Sequence, residues 1–452
     1  MKTLNRFMLA ATAVAAAAAA MPARADAVTD WNIKAGEFIT EAKLGTPPAT
    51  RVMAIVQTAV HGAVSQAPTA AHEAAVAAAS RFTLMALLPT QQAAIEAAYK
   101  AALATMADGP AKTAGIGAGE RAAAQVLAAR AKEAPVFTAP DATRPHVGTP
   151  GAYVPTAAPA ATAWPNRTPW VMTSASQFRP AAPPALTSDT WARDLEEIKA
   201  FGGRTSTRRS AEQTEIARFW DYSMPPVYHG VVRSVALTPG RDIAANARLF
   251  ATVAQAMDDA LIAVFDAKYH FNFWRPVTAI RNADLDGNDA TTRDATWLPL
   301  IDVPMHPEYP SGHSILAGAV GAVLRAEVGT APVKLATTSP TARGVTRQWT
   351  SIDDFVREVA MARIYGGLHF RFTNEVSVGM GRAIGELAVR RQHAARVQPT
   401  AERAADRTPE RTTDRTTDRT TDRAESEHPL RPASVAPTND GQEEYWRHIG
   451  VG

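Results

Sequence analysis

The sequence has no cysteine, which excludes disulfides, thiolate metal sites and a cysteine nucleophile. Beyond its N-terminus it has no apolar run long enough to cross a bilayer, a task needing roughly 20 residues. Apolar and polar residues do not alternate over any length that would make a useful strand. Positive charge is not in excess either. Of 47 Lys and Arg, three (Lys2, Arg6 and Arg24) lie in the N-terminal segment, leaving 44 against 44 Asp and Glu. That balance gives a nucleic-acid partner no electrostatic support.

What the chain does have starts with a leader. Lys2 and Arg6 precede the apolar run from Phe7 to Ala20, and Ala23-Arg24-Ala25 offers small residues for cleavage. The run is short and alanine-rich for an anchor, so residues 1–25 read as a removable signal peptide and the protein as periplasmic or secreted. The remainder, at 46% hydrophobic composition in a 452-residue chain, can bury a sizeable core.

From Pro48 to Lys132 apolar residues recur at helical spacing, as in Val52, Ile55, Val56, Val60 and Val64, which predicts N-terminal helices within 26–132. Eleven prolines then fall between Ala134 and Thr187, more than any helix absorbs. Tyr153, Trp164, Trp170 and Phe178 punctuate that stretch, so 134–187 is expected to be an ordered loop packed over helices. Helices are predicted near 188–201, 209–222, 241–268, 313–328, 351–365 and 373–395. The fold class is all-α, a domain of packed bundles over 26–398. After Gln398, Thr412-Thr413-Asp414-Arg415 repeats twice more through Arg423. Such a charged low-complexity run buries too little surface to fold, and 399–452 is expected to be a disordered tail.

Three short stretches carry the chemistry. Met257, Leu261 and Val264 form one helical stripe that Lys268 continues, which places a lysine on the core-facing side. Pro276 disfavours helix at Arg275 and re-aims the chain there. Ser311-Gly312 opens a helix marked by Ile315, Leu316, Val320, Val323 and Leu324; its free N–H groups and dipole suit an anion, and His313 in the first turn would face it. Phe355 and Val359 mark the buried face of the last stretch, and Arg363 shares it. Gly366-Gly367 should end that helix and turn His369 back toward Arg363. Taken singly, these are a snorkelling lysine, a surface arginine, a helix cap and a buried histidine.

Taken together, Lys268, Arg275 and Arg363 on inward stripes would repel one another unless an anion of about two negative charges joined them. A zinc or iron site from His270, His306, His313 and His369 lacks carboxylate–histidine spacing, and the three cations oppose a metal cation. The acidic turn from Asp284 to Asp289 lacks the distal Glu of a calcium loop and reads as a solvated turn.

Ordered as Lys-x6-Arg-Pro, Pro-Ser-Gly-His and Arg-x5-His, these motifs resemble those of the vanadium-dependent haloperoxidases and the related type 2 phosphatidic acid phosphatases. The close match spans about residues 268–375, and Arg51 to Val64 is more loosely similar to a bacterial haloperoxidase-like helix. The resemblance implies a helical fold in which Lys268, Arg275 and Arg363, with the Ser311 hydroxyl and the Gly312 N–H, hold the equatorial oxygens. It also implies that His369 is the single axial ligand to vanadium and His313 the general acid–base. As a peroxidase the protein would use vanadate as cofactor, with hydrogen peroxide and halide as small-molecule substrates. As a phosphatase it would need no cofactor, and His369 would attack phosphate esters in line.

Two departures from the family pattern bear on that choice. Ala362 stands before Arg363 where Ser is common, and Thr373 stands four residues after His369 where Asp is common, with Asn374 or Glu375 as possible substitutes. His306, seven residues before His313, is similar to a bromoperoxidase histidine, which favours bromide or iodide; the alternative is a loop histidine bonded to Glu308. The leading expectation is a haloperoxidase, followed by a secreted acid phosphatase and then a non-catalytic phosphate-binding protein.

Overall fold

A computed structural model of the chain describes residues 26–133 and 148–405, with side chains to residue 394. The expected signal peptide, the first part of the proline-rich loop and nearly all of the expected tail lie outside the described residues. Thirteen α-helices dominate the rest. The N-terminal group is α1 (Ala27–Glu41), α2 (Thr46–Gln66), α3 (His72–Leu87), α4 (Gln92–Ala104) and α5 (Pro110–Arg130). After an irregular segment come α6 (Asp189–Gly202), α7 (Ala211–Phe219), α8 (Pro225–Ala236), α9 (Ile243–Phe271) and α10 (Pro276–Arg281). The last three are α11 (Gly312–Val328), α12 (Ile352–Tyr365) and α13 (Arg371–Ala405).

The all-α fold class is borne out, with two local differences. A short antiparallel hairpin, β1 (Leu335–Thr338) and β2 (Thr346–Trp349), pairs Leu335 with Trp349 and Thr338 with Thr346. Its strands are too short to show alternation, and it is held from outside: Thr337 donates to the Val227 carbonyl at 2.9 Å, and Ser234 bonds Ala336. The second is a boundary: α13 runs to Ala405, and the expected tail beyond it lies outside the described residues. The strong helix formers Ala401, Glu402, Arg403 and Ala404 extend it in spite of Pro399.

The helix α9 is the axis of the molecule. It carries twenty buried residues, packs against α2 on one side, and packs against α11 and α13 on the other. The approach of α11 to α13 is closer than side chains allow: a Cβ on Gly381 would lie 2.0 Å from the Ile315 carbonyl oxygen. Small residues therefore set the spacing of the two helices that carry the second and third motifs.

Charge is also buried away from these motifs. Arg51 of α2 is fully buried and bonds Asp258 of α9 at 2.5 Å and Glu133. The neighbouring Asp259 accepts backbone N–H groups of Trp170, Val171 and Met172 at 2.7, 2.9 and 2.9 Å. Those bonds fasten the 148–187 segment, which has one short 3-10 turn at Trp164–Asn166, onto the bundles, with Tyr153 and Trp164 buried beneath it.

Candidate active site

An aromatic cluster brings the three motifs together. Phe273 and Trp274 of the first, Tyr309 of the second, and Phe370 and Phe372 of the third pack around Trp191 of α6. Trp191 stacks on Trp274 at 5.7 Å and meets Phe370 at 5.0 Å, while Tyr309 meets Phe372 at 6.1 Å. Polar bonds complete the alignment. Glu308 N–H donates to the Phe273 carbonyl at 2.9 Å, Ser311 N–H to the Ser377 hydroxyl at 2.7 Å, and Ser314 to Asn374 at 2.8 Å. Aromatic residues flank each motif in the sequence, and this was the signal available for their convergence.

One cavity of about 540 Å³ results, lined by Lys268, Arg275, His306, Gly312, His313, Arg363 and His369. Ser311 is the exception among the expected site residues. Fully buried, it caps α11 by accepting from Ser314 N–H and donates to the Ser314 hydroxyl at 3.1 Å, and it does not line the cavity. The same cavity is also lined by Phe265, Val277, Leu298, Pro304, Met305 and Leu316. The 148–187 segment adds Tyr153 and Ala161 to the wall.

The local backbone follows from the sequence. Arg275 is extended at φ −80° and ψ 154°, ahead of Pro276 at the first position of α10. Gly312 opens α11, and a Cβ built on it meets nothing within 4 Å, so a ligand can come close to its backbone. Gly366 caps α12 and Gly367 takes φ 80°, which returns the His369 N–H to the Arg363 carbonyl at 3.3 Å.

Lys268 spends its three ammonium protons on the Pro307, Glu308 and Pro310 carbonyls at 2.8, 2.9 and 2.5 Å. It therefore contributes charge at the cavity wall and holds the second motif in place, while its expected bond to an equatorial oxygen is not prepared in this arrangement. Arg275 donates to the His306 and Leu368 carbonyls at 2.9 and 3.1 Å, and to His306 Nδ1 at 2.9 Å. His306 is thus bonded to Arg275 and not to Glu308, and its ring stands edge-on to Phe265 at 5.3 Å. Arg363 gives one N–H to the Trp220 carbonyl at 2.5 Å.

Glu308 is the residue that sequence reasoning missed. Fully buried, its carboxylate accepts from His369 Nδ1 at 2.9 Å, from Phe370 N–H at 3.2 Å and from the Thr373 hydroxyl at 2.9 Å. Burial pushes it up to about 7, against the pull of Arg275 and Lys268. Burial also brings Arg275 and Arg363 down to about 10 and sets Lys268 well below its ordinary value, with Arg275 adding to that shift. His306, His313 and His369 all fall well below the usual imidazole range, from burial first and the neighbouring cations second. The site therefore combines neutral imidazoles with crowded cations, set against the buried Glu308 carboxylate and Asp221 beside Arg363 on the cavity wall.

These residues suit a tetrahedral oxyanion such as vanadate or phosphate. Arg363 Nε and His313 Nε2 are buried without a hydrogen-bond partner among the described residues, and both belong to this wall. The open N-terminus of α11 adds backbone N–H groups and the positive end of its dipole. An imidazole neutral at Nε2 and held from behind by a carboxylate is a ligand or a nucleophile. By contrast, Asp286 of the acidic turn has its oxygens taken by Trp191 Nε1, the Thr291 hydroxyl and Asn288 N–H, as a structural turn does.

Residues 248–397 match the family model described as the second helical-bundle domain of vanadium chloroperoxidase (VCPO). The chain is 34% identical over 179 residues to the vanadium chloroperoxidase of Curvularia inaequalis, a match covering 32% of this chain and 29% of that protein's length. Its fold is similar to that of a bacterial vanadium-dependent iodoperoxidase, with a TM-score of 0.64 and 25% identity over 80% of this chain and 95% of the other. An apo bacterial vanadium-dependent chloroperoxidase shares the fold with a TM-score of 0.62, at 18% identity over 77% of this chain and 95% of the other. Residues 248–397 therefore match the second helical bundle of the vanadium chloroperoxidases, and the fold as a whole is similar to that of bacterial vanadium-dependent haloperoxidases.

Proposed function

We propose that this protein is an exported, vanadium-dependent haloperoxidase-like enzyme that uses hydrogen peroxide to oxidise halide, with bromide or iodide favoured. The observation that carries this reading is the convergence of Lys268, Arg275, Arg363, Gly312, His313 and His369 on one cavity. When bound, vanadate supplies a Lewis acid that activates peroxide without changing its own oxidation state. The chain's residues do the rest. Arg275, Arg363 and the Gly312 N–H would hold its oxygens, Lys268 would add charge, and His369 Nε2 would be the one protein ligand.

The reaction takes two electrons from halide, breaks the peroxide O–O bond, consumes one proton and releases hypohalous acid and water. His313 Nε2, unpartnered among the described residues on the cavity wall, would take up and return a proton there. His306 supports a softer halide through its bond to Arg275 and its edge contact with Phe265. A structural relative described as an iodoperoxidase points the same way. The leader-like residues 1–25 support export.

The test is halogenation of a phenol by purified protein with peroxide and bromide or iodide, before and after loading with orthovanadate. Turnover in the loaded sample alone is expected; normal vanadate uptake without halogenation rejects the reading. One observation favours a second reading, an acid phosphatase, because a carboxylate behind His369 strengthens Nε2 for in-line attack on phosphorus. Phosphomonoester hydrolysis by vanadate-free protein, lost in His369→Ala, would support it, and hydrolysis persisting in that variant would exclude it.

A further inference from the structure

We propose that Glu308 is the positioning residue for His369, a carboxylate carried on the second motif in place of one on the third. The inference rests on the oxyanion pocket proposed above. The family pattern expects Asp four residues after the histidine, and Thr373 stands there. The near substitutes are engaged elsewhere. Asn374 accepts from Ser314 and donates to the Phe370 carbonyl at 2.9 Å, and Glu375 is exposed beside Arg371 and Arg382 on an outer groove. Thr373 instead donates to Glu308, so the residue occupying the family's acidic position serves the carboxylate that replaces it.

Geometry gives Glu308 its task. Nδ1 of His369 faces a carboxylate oxygen at 2.9 Å and so carries the proton, while Nε2 faces the Arg275 donor at 3.4 Å and so carries the lone pair. Both contacts select one tautomer and present Nε2 to the cavity. The Phe370 N–H and the Thr373 hydroxyl fix the carboxylate itself, and the Glu308 carbonyl is tied to Lys268 at 2.9 Å. Glu308 is thus joined to the other two motifs, and a shift in it would re-aim the ring. Carboxylates behind ligating histidines typically change affinity by about 10–100-fold.

The experiment measures orthovanadate binding by equilibrium dialysis in the wild-type chain, Glu308→Ala, Glu308→Gln and the double variant Glu308→Ala/Thr373→Asp. Imidazole ¹⁵N shifts of His369 and melting curves accompany each. Glu308→Ala should bind at least about tenfold more weakly and lose the Nδ1–H signature. The double variant, with its carboxylate returned to position 373, should recover both, a rescue that simple repair of packing would not give. Glu308→Gln keeps the shape and covers the case in which Ala collapses the pocket; it should still lose affinity. Undiminished binding in Glu308→Gln, or a folded double variant with no recovery, overturns the inference. Failure of the wild-type chain to bind vanadate removes the pocket itself, and the role of Glu308 with it.

Discussion

Lys268 shows what a single buried charge can do when backbone oxygens surround it. Its three protons meet three carbonyls of the Pro307–Pro310 turn, so the ammonium both charges the cavity and shapes the second motif. Replacing it by Met keeps most of the volume but strands those carbonyls, and should destabilise the fold by about 2–3 kcal/mol or more. Urea denaturation of Lys268→Met would show it, and a midpoint equal to wild type would contradict it. The inward placement of Lys268 and Arg363 was legible from helical stripes, and the return of His369 from Gly366-Gly367. Two residues were not legible. Ser311, which the family resemblance implies as an anion ligand, is turned here to Ser314 as a helix cap, an orientation set by packing that local sequence does not show. Glu308 meets its partner across 61 residues of sequence, and no local pattern encodes that distance.

The pair α11 and α13 presents the second and third motifs to each other, and glycine sets how close they come. A methyl group on Gly381 would lie 2.0 Å from the Ile315 carbonyl and 2.8 Å from the Ala319 nitrogen, both backbone atoms that cannot swing aside. Gly381→Ala should therefore destabilise by about 1–3 kcal/mol and weaken anion binding in parallel, since His313 and His369 are separated by the same movement. Thermal melting with a vanadate titration checks both; a variant as stable as wild type would show that the helices yield easily. Most second-half helices could be read from apolar periodicity to within a few residues. The helix α8 could not, because Pro225 and Pro226 suit a first helical turn yet look like loop, and Gly230 answers to Thr337 rather than to helix propensity. The hairpin and the length of α13 escaped for related reasons: contacts with α8 hold the strands, and no stop signal but Pro399 precedes Ala405.

At the scale of the whole molecule, α9 joins an N-terminal helical group to the helices bearing the site, and the 148–187 segment closes over both. Buried ionic bonds fasten it: Arg51 with Asp258 and Glu133, and Asp259 with the backbone of Trp170 to Met172. Among the described residues no helix is long and apolar enough to cross a membrane. The arrangement serves a cavity with a largely apolar wall, where low polarity strengthens the attraction of the cations for an oxyanion. Its most direct test is a crystal structure of the protein equilibrated with orthovanadate. The account predicts one vanadium per chain, bonded to His369 Nε2, with its oxygens facing Arg275, Arg363 and the Gly312 N–H. Vanadate bound away from His369, or absent from this cavity at saturating concentration, would contradict it.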